Sequence, residues 1–140
     1  ITNTDSCASQ ISQWAALEAI EGPQDAAAMM KASFLERRDL IVGLLNRVPG
    51  VTCRVPGGAF YAWPNVTEAC RMIGAQDSED FRKRLLNEAG VALLADIHFG
   101  SRVPGEGQHV RFSYAASKDA IEKGVARMAD FIRANTRKAA

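Results

Sequence analysis

Cysteine is scarce and unpaired in this sequence. Cys7, Cys53 and Cys70 are an odd number with no close-spaced pair. A disulfide framework favours an even count, and a zinc site favours paired ligand spacings with histidine nearby, so neither is expected. The two histidines, His98 and His109, have no cysteine or carboxylate at a recognisable catalytic spacing. No apolar run is long enough to span a bilayer, and no signal-peptide pattern opens the chain. Charge of one sign is also lacking. Seventeen basic and sixteen acidic residues leave a net charge of +1, which gives no reason to expect nucleic acid or an anionic membrane as a partner. The glycines are not spaced as a P-loop or a dinucleotide fingerprint. These absences describe a cytoplasmic chain whose thiols stay reduced and structural.

What is present is ordinary globular composition, 47% hydrophobic and 24% charged over 140 residues. That is enough chain to bury a core. Ile11, Trp14, Ala15 and Ala19 recur at helical spacing after Asp5 or Ser6 as a cap, and Gly22-Pro23 stops the helix. A longer helix is expected from Gln24 to Val48, with Met30, Phe34, Ile41, Leu45 and Val48 on one stripe. Pro49-Gly50 turns the chain into a hairpin of Val51–Val55 and Ala59–Trp63 around Pro56-Gly57-Gly58. Ser78 is expected to cap a helix through Phe81, Leu85 and Ala89, which Gly90 ends. A short strand follows at 91–94, then a loop from Ala95 to Gln108. His109–Tyr114 alternates cleanly as a strand, and Ser117 opens a last helix with the stripe Ile121, Val125, Met128 and Ile132. The order predicts a two-layer α/β (α+β) fold, a small, mostly antiparallel sheet covered on one face by helices, with an N-terminal helical extension.

In the last strand Val110, Phe112 and Tyr114 point one way and Arg111 the other. A guanidinium on a rigid strand offers a planar fork suited to bidentate capture of a carboxylate, although a solvated arginine is the plainer reading from periodicity alone. Gly57-Gly58 permits a positive φ or a close approach, as would any hairpin turn. Trp14 and Trp63 read as core or interface residues, and His98 and His109 as surface or packing residues.

Several segments, in this order, resemble the C-terminal part of class I, fold-type I aminotransferases of the aspartate aminotransferase-like branch. They are 3–19 (NTDSCASQISQWAALEA), Phe34-Leu35-Glu36-Arg37-Arg38-Asp39, Gly58-Ala59-Phe60-Tyr61 and Arg111-Phe112-Ser113-Tyr114-Ala115. The resemblance implies a pyridoxal-phosphate transferase small domain over 25–140, with 1–24 from the large-domain and dimer-interface side. It makes Arg111 the anchor of the substrate α-carboxylate, sets Phe60 and Tyr61 beside the substrate, and brings Asn3 and Thr4 to a partner subunit's site in a homodimer. It also implies amino-acid and 2-oxo-acid substrates, exchanged by ping-pong transamination on pyridoxal phosphate. None of Lys31, Lys83, Lys118, Lys123 and Lys138 sits in the family's lysine motif. The Schiff-base lysine is therefore expected in a missing N-terminal large domain, and the chain alone is expected to bind no cofactor and to be inactive. Where relatives carry Pro-Gly before the Phe-Gly loop, this chain has Ala95-Asp96-Ile97-His98. The rival reading is a non-catalytic binding or interaction module derived from the same domain.

Overall fold

The computed structural model describes residues 7–139. They fall into two compact units that divide between residues 32 and 33. In the first, Gln10–Glu21 forms α1, with Ser9 at its N-cap and Gly22 at its C-cap. The anticipated caps Asp5 and Ser6 lie outside the described residues. Asp25–Leu45 forms α2, whose residues 33–45 belong to the second unit, and it is shorter at its end than the stripe predicts because the chain turns at residues 46–50. Ile41, Leu45 and Val48 are buried as expected, but Met30 is exposed.

The second unit carries the sheet. β1 is Tyr61–Ala62, β2 is Leu94–Ala95 and β3 is Val110–Ser113. All pair antiparallel in the order β1-β3-β2, with Tyr61 opposite Ser113 and Leu94 opposite Arg111. Helices α3 (Thr67–Ile73), α4 (Ser78–Ala89) and α5 (Lys118–Ala139) complete the unit. A short 3-10 turn, Asp96–Phe99, interrupts what the sequence predicts as plain loop. Alternation in β3 holds, since Val110, Phe112 and Tyr114 are buried and Arg111 and Ser113 are not. The buried face meets Ile41 and Leu45 of α2, Phe81 and Leu85 of α4, and the expected α5 stripe of Ile121, Val125, Met128 and Ile132 in one core.

The predicted hairpin of 51–55 with 59–63 does not form. A single bridge joins Thr52 to Asn65, and β1 pairs with β3 instead. The Asn46 side chain explains this, because its amide donates to the Cys53 carbonyl at 2.9 Å and accepts from the Cys53 N–H at 2.8 Å. Those backbone groups are then satisfied without a ladder, and Pro56 has no N–H to offer one. Gly50 makes the preceding turn at φ +73, where an added Cβ would come within 2.6 Å of the Ala69 nitrogen. Only glycine fits there. The cap of α4 is Asp77, whose carboxylate accepts from the Glu79 and Asp80 N–H groups, and not Ser78, which lies buried as the first helical residue.

Candidate functional site

The sheet's second face is open, and β1 and β3 place their outward side chains on it. Carried three residues past its last paired position, the β1–β3 register reaches the Asn65–His109 bridge, so Trp63 stands across from Arg111. Tyr61 is then the diagonal neighbour of Arg111, within reach of a long side chain. The Arg111 guanidinium carbon lies over the Tyr61 ring, 4.3 Å from its centroid. From the 3-10 turn Phe99 supplies another ring, 4.6 Å from the same carbon. Trp63 meets Phe99 edge-on at 5.3 Å and stacks on His109 at 5.9 Å with an interplanar angle of 8°.

Arg111 is half-buried, and among the described residues no carboxylate pairs with it. Rings against the face of a guanidinium satisfy its π surface and leave its N–H edge free. That edge can grip a carboxylate with two parallel hydrogen bonds.

Of the residues singled out in the sequence, Tyr61 and Arg111 are thus brought together. Phe60 touches Tyr61 at 4.4 Å and Phe34 at 6.1 Å, one step removed from the guanidinium. Asn3 and Thr4 lie outside the described residues. Phe99, in the Phe-Gly loop, and Trp63 are expected from the sequence as core or interface residues and His109 as a surface or packing residue; the structure gathers all three into the cluster around Arg111. The period-2 pattern could have set Trp63 on Tyr61's face, but Phe99 arrives from a turn that no periodicity reports.

The segment 95–98 that departs from the family's pattern is a structural anchor. The Asp96 carboxylate accepts from the Ser78 hydroxyl at 2.7 Å, Arg102 Nε at 3.0 Å and the His109 N–H at 2.9 Å. Burial alone would raise the Asp96 pKa, but these three donors outweigh it and hold the group below its ordinary range. His98 Nε2 lies 3.1 Å from Glu79. The Glu79 carboxylate is brought down to about 2, chiefly by its hydrogen bonds from Arg82. Burial pushes the Cys70 thiol up to about 12 and raises that of Cys53 too, so neither is poised as a nucleophile.

The face does not fit pyridoxal phosphate. Beside its aromatic rings and one guanidinium it carries Ser113 and Leu94, with no amine to condense with an aldehyde. Lys83, Lys118 and Lys123 pair with Glu79, Glu36 and Asp119. Among the described residues no group of His, Cys, Asp and Glu could hold a metal ion, and no helix is long and apolar enough to cross a membrane.

No protein-family model matches the chain. It is similar to the aspartate aminotransferase of Geobacillus stearothermophilus, 41% identical over 124 residues that cover 89% of this chain and 30% of the relative. An aspartate/prephenate aminotransferase of Cereibacter sphaeroides is 38% identical over 126 residues, covering 86% and 30%. Among solved structures, the aspartate aminotransferase of Rhizobium meliloti superposes with a TM-score of 0.82 at 34% identity, covering 94% of this chain and 33% of that one. The alanine aminotransferase of Pyrococcus furiosus gives 0.78 at 28% identity, covering 91% and 31%. The chain thus spans about 30% of the length of the curated relatives it matches. Over most of its length it matches the C-terminal, small-domain region of fold-type I, pyridoxal-phosphate-dependent aminotransferases of the aspartate aminotransferase-like branch.

Proposed function

We propose that this chain is the substrate-carboxylate-binding part of an aminotransferase that moves an amino group between an amino acid and a 2-oxo acid. The observation that carries the reading is Arg111, half-buried on a rigid strand, with its guanidinium carbon over the Tyr61 and Phe99 rings. Within the family, residues 25–140 act as the small domain, and 1–24, with Asn3 and Thr4, belong to the side facing the large domain and a partner subunit. The amine, the phosphate cradle and the ring-nitrogen partner of the cofactor are assigned to the rest of the enzyme. The chain by itself is then inactive, and the complete enzyme works as a cytoplasmic homodimer.

The contribution of this chain's residues is binding and orientation. Arg111 fixes one end of the amino acid through its carboxylate, which restricts how the Cα–H bond can point. Tyr61, backed by Phe60 against its ring, lines the substrate side of that grip and keeps water from the guanidinium, which strengthens its hydrogen bonds.

The test uses the full-length protein. Arg111→Ala should raise KM for both amino acid and oxo acid by about a hundredfold, the loss of two charge-assisted hydrogen bonds at roughly 1.5 kcal/mol each. Cofactor content, read from its absorbance, should stay close to wild type. Arg111→Lys should also fail substantially, because one ammonium cannot reproduce the fork. Unchanged kinetics in both variants would sink the assignment.

A further inference from the structure

We propose that Phe99 is a positioning residue that holds the Arg111 guanidinium in plane, and that a latch of Ser78, Asp96 and Arg102 holds Phe99. The proposal rests on the reading of Arg111 as carboxylate anchor.

A strand fixes the Cα–Cβ direction of an arginine but leaves its long side chain roughly 2 kcal/mol of rotamer entropy to lose. Something must therefore orient the fork before a ligand arrives. Tyr61 does part of this at 4.3 Å, and it is in place whenever β1 pairs with β3. Phe99 does the rest at 4.6 Å, but sheet register does not locate it. Phe99 is 48% exposed, so little core packing holds it.

Two features supply what packing does not. Trp63 meets the Phe99 ring edge-on at 5.3 Å, an arrangement aromatic pairs favour. The chain on either side of the ring is also tied to α4. Before it, Asp96 accepts from Ser78 Oγ at 2.7 Å. After it, Arg102 donates through Nη2 to the same Ser78 oxygen at 2.6 Å and through Nε to Asp96 at 3.0 Å. Ser78 is wholly buried, with its hydroxyl donating once and accepting once. Such a closed network keeps residues 96–102 in one arrangement. His98 beside Glu79 at 3.1 Å adds a second tie to the same helix. Neither Asp96 nor Arg102 touches Arg111 through a hydrogen bond. They act on it through Phe99.

The experiment measures KM, kcat and the dissociation constant of an amino-acid analogue whose α-hydrogen is replaced by methyl, all in the full-length holoenzyme. Phe99→Leu should raise KM and the dissociation constant about tenfold while kcat stays within about twofold, and Phe99→Tyr should restore both, since it returns a π face. In an Arg111→Lys background Phe99→Leu should add little, and Arg102→Met should raise KM only where Phe99 is present. Equal effects of Phe99→Leu with and without Arg111 would overturn the proposal, because Phe99 would then act independently of the fork. Additive effects of Arg102→Met and Phe99→Leu would overturn the latch. A normal KM in Phe99→Leu beside a raised KM in Arg111→Lys would refute the positioning role and leave the anchor standing. A normal KM in Arg111→Lys would remove the anchor, and the positioning role with it.

Discussion

Ala59 carries a φ of +59, a conformation in which its Cβ crowds the following carbonyl at a cost of about 1 kcal/mol. The buried Tyr114 hydroxyl holds it there by donating to the Ala59 carbonyl at 2.9 Å, while the Tyr114 N–H donates to Phe60 at 2.9 Å. The two glycines before it are not strained, and a Cβ added at Gly57 or Gly58 would meet nothing within 4 Å. The glycine pair therefore flags a positive φ in this turn, yet the bend falls one residue later, because a contact from residue 114 sets its place. Exchanging the two types, Gly58→Ala with Ala59→Gly, should stabilise the chain by about 1 kcal/mol, seen as a Tm higher by a few degrees. A lower Tm would mean that the Ala59 methyl makes a contact worth more than its strain. Arg111 and Phe99 teach the same lesson at the site. Alternation along one strand set the direction of Arg111 correctly, whereas its ring partner comes from twelve residues earlier through a turn with no repeating pattern.

At the scale of elements, α5 and the alternating β3 are legible in the sequence, whereas the 51–55 strand is not. α5 buries the stripe read from its sequence. The 51–55 hairpin strand was lost to the Asn46 side chain, a competitor that no strand pattern contains. The start of α4 was misread for a related reason. Asp77 and Ser78 are both good capping types, and the choice went to Asp77 because the Ser78 hydroxyl is committed to Asp96 and Arg102. That commitment has a pH signature. The Asp96 carboxyl is held below its unfolded value near 3.9, so it contributes stability above that pH and the contribution drains away as pH falls through and below it. Asp96→Asn should lose about 2 kcal/mol at neutral pH, since its charged acceptor serves three donors. The gap between wild type and variant, measured by urea unfolding, should narrow from pH 5 down to pH 2. A gap of constant size across that range would show that the charge on Asp96 contributes nothing.

The surface of the whole molecule is uneven in a way composition does not reveal. Trp14 was expected in a core or an interface, and α1 leaves it 65% exposed beside Ile11 at 82%, Leu17 at 43% and Ile20 at 79%. These four side chains recur every third residue, so they form one slowly winding apolar stripe. Burying a side chain of this kind is worth roughly 1.5–3 kcal/mol, so four of them together match the roughly 4–15 kcal/mol that association costs in lost freedom. A stripe this size on a small domain normally lies against another surface. The 140-residue chain by itself should therefore self-associate at micromolar concentration and bind an apolar dye. Ile11→Glu, Trp14→Glu and Ile20→Glu together should return it to a monomer in sedimentation while leaving the far-ultraviolet spectrum of the second unit unchanged. Persistence of the oligomer in the triple variant would place the adhesive surface elsewhere. A wild-type chain that is monomeric and takes up no dye would mean that the α1 stripe is covered within the chain in solution.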